Sequence, residues 1–244
     1  MALPHNKKIQ TNPESDLPWD QPDDNGFYHI DDMLLNEFQF NQQFGSSEEE
    51  ENTQTRNAIA DEMLKWPNGQ LKFFFMDSVT DTQKQQVRSA YAKFNSIFEG
   101  CLKINEITPT NLEDTNVVFL TNYDRSGCFS AIGRQGYYQQ LNLGKYCFNY
   151  HSVIHEFLHA FGVYHVQSRP DRDQYVDIVW DNIYESLYFN YKRQDNALTY
   201  NVPYDGKSFM HYRPQTNFNI EYMEPSIISK VNPKLYIFNT SLQM

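Results

Sequence analysis

The sequence predicts an α+β domain, and three observations predict it. Short apolar runs bounded by turn-forming residues read as strands of one sheet, and an interleaved stretch with apolar residues three and four apart reads as a helix packed on that sheet. A second helical stretch carries closely spaced histidines. Residues 1–56 are rich in Asp, Asn, Gln and Pro, carry the run Glu48-Glu49-Glu50-Glu51, and form a largely irregular extension; residues 57–244 form the domain. Residues 71–76 follow the turn pair Asn68-Gly69 as the first strand of the domain. From Asp81 as N-cap, Val87, Ala90, Tyr91, Phe94, Ile97 and Phe98 recur at helical spacing until Gly100 ends the pattern. Residues 102–107, 117–123 and 139–143 supply three more strands, with a turn at Asp124-Arg125-Ser126-Gly127.

Composition bounds the function. The 244 residues are 40% hydrophobic and 16% aromatic, enough for one sizeable core. No apolar stretch approaches the roughly 20 residues of a membrane span. The start, Met1-Ala2-Leu3-Pro4-His5-Asn6-Lys7-Lys8, lacks the apolar stretch of a signal peptide. A formal charge of -11 argues against nucleic-acid binding, which requires a basic footprint.

The chemistry is concentrated in residues 155–165, His-Glu-Phe-Leu-His-Ala-Phe-Gly-Val-Tyr-His. Histidines four apart on a helix project from one face, so His155 and His159 can aim at one metal ion, with Glu156 beside them. Gly162 can adopt the left-handed conformation that ends a helix and turn the chain so that His165 approaches from another direction. Three neutral imidazoles leave one position of a zinc site open for water, whereas structural zinc sites are closed by four protein ligands. A bare H-E-x-x-H can arise by accident on an amphipathic helix; Gly162 and His165 at the required offsets make that reading poor.

The full pattern, H-E-x-x-H-x-x-G-x-x-H, resembles that of the metzincin zinc proteases. Its continuation, His165-Val166-Gln167-Ser168-Arg169-Pro170-Asp171-Arg172-Asp173-Gln174-Tyr175-Val176, resembles the astacin family of metalloendopeptidases, and Ser208-Phe209-Met210-His211-Tyr212 resembles that family's Met-turn. These features favour the astacin type over matrixin or adamalysin types. The resemblance implies a two-lobed fold: a twisted mixed sheet with helices, including the zinc helix, above the cleft, and an irregular lobe below it. It further implies one Zn²⁺ per chain, bound by His155, His159 and His165 with Tyr212 as a fifth ligand able to swing away. Met210 becomes the apolar floor under the imidazoles. Glu156 becomes the general base towards water attacking a peptide bond, and the Tyr212 hydroxyl the donor to the developing oxyanion. The partners are then a protein or peptide substrate and an activating protease.

Further implications follow from the same resemblance. Cys128 pairs with Cys147, while Cys101 matches a cysteine whose partner lies in a C-terminal helix beyond Met244. A free thiol, an intermolecular bridge and an incomplete C-terminus are the three readings of Cys101, the last being preferred. The disulfide and the family place the protein outside the cell. His29-Ile30-Asp31-Asp32 resembles the propeptide motif Phe-x-Gly-Asp, whose aspartate occupies the open zinc position and keeps the enzyme latent. Asp32 aligns with that aspartate, Asp31 replaces the glycine, and a plain surface acid is the alternative for Asp32. Arg56 resembles the trypsin-like activation junction. Val166 stands where the family has a glutamate that pairs with the new N-terminus, so activation is expected to tolerate ragged cleavage. Gln139 to Leu143 is the candidate cleft-edge strand that binds substrate main chain. Arg213 either selects acidic residues on the primed side or is solvated. Asn239-Thr240-Ser241 is a weak glycosylation sequon. The competing function is a catalytically impaired, zinc-binding interaction protein of the same fold.

Overall fold

A computed structural model of the chain describes residues 20–44, 58, 61–108, 116–123, 127–216, 218–221 and 224–231. Arg56, the acidic run at 48–51 and the sequon at Asn239 lie outside the described residues.

Regular structure begins inside the segment expected to be largely irregular. Strands β1 (Tyr28–Ile30) and β2 (Met33–Leu35) pair as an antiparallel hairpin, Ile30 opposite Met33, with Asp31 and Asp32 as its two-residue turn. Helix α1 (Glu37–Phe44) follows. Ile30, Met33, Leu35 and Phe40 pack with Ile132, Tyr164 and Ala197, so the tertiary partner supplies the apolar cover that this polar segment lacks by itself.

The main sheet runs in the order β1-β2-β6-β7-β5-β3-β4. Its further strands are β3 (Gln70–Phe75), β4 (Lys103–Glu106), β5 (Val118–Thr121), β6 (Cys128–Ala131) and β7 (Gln139–Leu143). β6 runs antiparallel to β7, while β7, β5, β3 and β4 are mutually parallel neighbours. Two-residue alternation is plain in β3, where Leu71 and Phe73 are buried and Gln70 and Lys72 exposed. Helix α2 (Asp81–Ile97) buries Val87, Ala90 and Phe94 on the same core as Phe73, Phe157 and Ala160.

Two expectations need correcting. The N-cap of α2 is Thr80, not Asp81: the Thr80 hydroxyl accepts the Gln83 N–H and the Gln83 side chain accepts the Thr80 N–H. This reciprocal pair satisfies two otherwise orphaned donors and leaves Asp81 in the first turn, where its charge suits the helix dipole. The candidate edge strand, Gln139–Leu143, is interior, hydrogen-bonded to β5 on one side and β6 on the other. Its Gln139 and Asn142 suggest an exposed strand, but both are buried and satisfied, Gln139 by Gly133 O and the Gln135 N–H, Asn142 by Thr121 and Gly127. On its other side β6 pairs with β2 in parallel register, Met33 opposite Ser130 and Leu34 opposite Ala131.

Below the sheet the chain is built from 3₁₀ turns and one two-stranded ribbon, β8 (Val176–Ile178) with β9 (Ile227–Ser229), around Val176, Ile183, Tyr191 and Ile227. Buried Arg172 ties this lobe together by donating to the Gln167 and Tyr191 carbonyls. Cys128 and Cys147 form the expected disulfide, with Cα atoms 6.0 Å apart, joining β6 to the loop before the histidine helix. Cys101 is exposed and unpaired.

Candidate metal centre

Helix α3 (Tyr150–Ala160) starts at Asn149, whose side chain accepts the Ser152 N–H, and lays Val153, Ile154, Phe157 and Ala160 on the sheet. That apolar face fixes the rotation of the helix, and His155 and His159 therefore point to the cleft. Phe161 ends the helix, and Gly162 follows with φ 95°. The Gly162 N–H bonds the His159 carbonyl at 2.8 Å and the Val163 N–H reaches the Leu158 carbonyl at 2.9 Å, the two bonds of a Schellman cap. Trp66 Nε1–H donates to the Ala160 carbonyl at 2.7 Å, satisfying another terminal acceptor. The chain thus turns sharply and returns His165 against the first two histidines.

Backbone carbonyls set the tautomers. His155 Nδ1 lies 2.9 Å from Phe209 O and His159 Nδ1 lies 2.7 Å from Val163 O. A carbonyl only accepts, so each Nδ1 carries the proton and each Nε2 presents a lone pair. His155 Nε2 and His165 Nε2 approach to 3.3 Å. Asp32, at the tip of the β1–β2 hairpin, closes the group: its Oδ2 lies 3.0 Å from His155 Nε2, and its Oδ1 lies 3.3 Å from His159 Nε2 and 3.1 Å from His165 Nε2. One donor atom from each of these four residues falls within 4.8 Å of all the others.

These residues fit Zn²⁺. His159 is fully buried, and its Nε2 faces Asp32 Oδ1 at 3.3 Å without either buried atom making a hydrogen bond. An orphaned buried polar atom is costly, and three imidazole nitrogens with one carboxylate oxygen is a donor set that suits zinc. Burial takes the His159 pKa to about 4, which keeps that imidazole neutral. Burial also pulls His165 down, but Asp32 outweighs it and the pKa ends raised. Asp32 is disfavoured as an anion by burial, and the three histidines more than reverse this, holding its carboxyl well below the usual range.

Glu156 is buried beside the cluster, 1% exposed, and its Oε2 has no partner. Burial first, then the charges of Asp32 and Asp31, raise its pKa well above the ordinary carboxylate value. Met210 is buried in a tight turn, and its carbonyl accepts the Val166 N–H at 2.8 Å, linking the third histidine's segment to the turn. The Tyr212 ring lies 4.7 Å from the His165 ring, and its hydroxyl donates to Asp31 Oδ2. Tyr212 is held at both backbone ends: its N–H donates to Gln167 Oε1 at 2.9 Å and its carbonyl accepts His211 Nδ1–H at 2.7 Å. Arg213 is half-buried.

The structure therefore brings His155, His159, His165, Glu156, Tyr212, Met210 and Asp32 to one place, leaving Cys101 far from any bridging partner among the described residues. Sequence reasoning missed Gln167, Trp66 and the contact made by Asp31. The Asp31-Asp32 doublet between two short apolar runs is a general turn signal, since aspartate favours turns and tolerates the left-handed conformation.

A mixed sheet above a histidine-bearing helix, with an irregular lobe beneath, defines a metzincin-type two-lobed domain. Residues 58–238 match the model of the peptidase family described as Astacin, and the chain belongs to that family. It is 31% identical over 159 residues to zinc metalloproteinase nas-8 of Steinernema carpocapsae, covering 64% of this chain and 36% of that protein. It is 34% identical over 179 residues to meprin A subunit alpha of Mus musculus, covering 72% of this chain and 23% of that one. The aligned segment thus spans well under half of either relative. Among solved structures, the hatching enzyme zinc-protease high choriolytic enzyme 1 of Oryzias latipes superposes with a TM-score of 0.66 at 29% identity, covering 74% of this chain and 89% of that one. No helix among the described residues is long and apolar enough to cross a membrane.

Proposed function

We propose that this protein is a zinc-dependent metalloendopeptidase made as a latent precursor, with residues 1–56 as pro-segment and 57–244 as peptidase domain. One observation carries the reading: three imidazole Nε2 atoms converge beside a buried glutamate that has an unpartnered carboxylate oxygen. His155, His159 and His165 would hold one Zn²⁺, with Tyr212 as an additional, detachable ligand and Met210 beneath. Bound there, the ion supplies Lewis acidity towards a peptide carbonyl and makes water a stronger acid.

The chain's own groups do the rest. Glu156 takes a proton at Oε2 from the attacking water and passes it to the departing amine. The Tyr212 hydroxyl, once free, donates to the oxyanion, a contact worth about 3 kcal/mol. Substrate main chain pairs with β6 after β2 leaves it. In the precursor Asp32 fills the position that substrate needs. Cleavage near Arg56 by another protease begins activation, and the Cys128–Cys147 disulfide supports an extracellular site of action.

The test is zinc content of the purified full chain together with cleavage of a quenched peptide before and after limited trypsin treatment. One equivalent of zinc and activity that appears only after trypsin are expected. Zinc without cleavage at either stage supports the non-hydrolytic interaction protein instead, and absence of zinc removes both readings.

A further inference from the structure

We infer that Asp31 is a second, separate lock: it captures the Tyr212 hydroxyl, so the pro-segment hairpin disables the oxyanion donor independently of what Asp32 does at the histidines. This rests on the latent-precursor reading above. The Tyr212 hydroxyl has one proton, and it is donated to Asp31 Oδ2. A hydroxyl so engaged cannot donate to a substrate oxygen at the same time. The donor is otherwise well placed, because Gln167 and His211 pin the Tyr212 backbone and its ring sits among His165, Tyr191 and Phe218 at centroid distances of 4.7, 5.5 and 5.7 Å. With the hairpin in place, Asp31 holds the hydroxyl.

The backbone makes the assignment sharper. Asp31 has φ 56°, a left-handed conformation that glycine adopts without strain and that is unfavourable for a residue with a Cβ. Aspartate stands where the resembling motif has glycine, so this chain accepts that strain and gains a carboxylate on the tyrosine. Successive residues of a two-residue turn direct their side chains differently, which is how Asp31 reaches Tyr212 while Asp32 reaches all three histidines.

Hydrogen exchange of the 28–35 amides in the uncleaved full chain tests the lock without relying on turnover. Asp31→Gly removes the carboxylate and relieves the backbone, so it endangers folding little. A charge-assisted hydrogen bond of the usual strength predicts roughly tenfold faster hairpin opening in Asp31→Gly and in Tyr212→Phe. The double variant should open no faster than either single one. Exchange unchanged or slowed in Asp31→Gly, or fully additive effects in the double variant, would overturn the lock. The uncleaved parental chain separates the two readings. If it cleaves a quenched peptide as fast as the trypsin-treated protein, the latency reading fails; if it is latent while residues 31 and 212 prove uncoupled, the second lock alone fails.

Discussion

Helix α3 and the β1–β2 hairpin deliver donors to one point by different physical routes. In α3 the delivery is local: a four-residue spacing, an apolar face that fixes rotation, and a glycine-capped turn bring three imidazoles together within eleven residues. The hairpin delivers its carboxylate across 123 residues of chain separation, and does so only because β2 pairs with β6 and Ile30, Met33 and Leu35 bury against the domain. A helix encodes its donor geometry in spacing, whereas a strand tip encodes it in the surface that receives it. The contrast also separates an element woven into the core, α3, from one that extends the sheet beyond β6, the hairpin.

Three measurements break or sharpen this contrast. Glu156→Gln keeps the α3 ligands but removes the base, so zinc should stay at one equivalent while peptide cleavage by trypsin-processed enzyme falls by about 10²–10⁴-fold. Parental turnover in that variant would remove Glu156 from the mechanism. On the hairpin side, Asp32→Ala should raise peptide cleavage by the uncleaved precursor by roughly 10- to 100-fold, the loss expected for hydrogen bonds to a charged group. Activity that stays at the precursor's level would show that the hairpin covers the site without its aspartate mattering. The smallest effect is expected for Gly162→Ala, where a Cβ is forced into φ 95°: about 1–2 kcal/mol less stability in urea unfolding of the zinc-loaded protein. An unchanged midpoint would mean that the return of His165 does not depend on the left-handed cap.

Legibility in the sequence follows the same division. Strands at 71–76, 102–107, 117–123 and 139–143 agree with the observed ones to within two residues at each end, because apolar runs between turn residues are local signals. Position within the sheet was not legible for Gln139–Leu143, since the partners that satisfy its polar residues, Gly133 and Gln135 for Gln139 and Thr121 and Gly127 for Asn142, are set by how loops and strands meet rather than by the strand's own residues. Asp81 reads as the cap in the sequence because aspartate ranks above threonine at N-caps; the reciprocal bonding of Thr80 with Gln83 decides for its neighbour. Asp31 read as a departure from a motif, and its contact with Tyr212, 181 residues away, has no sequence signature.

What the sequence alone determined was the metal-binding pattern, its glycine turn and the glutamate beside it, because helical periodicity and left-handed glycine are properties of a few neighbouring residues. The tertiary structure decided where each strand sits in the sheet, which carbonyls orient the imidazoles, and that two consecutive aspartates meet two different parts of the site. Those are matters of surfaces coming together across the whole chain, where each contact depends on the packing of elements that no short window contains.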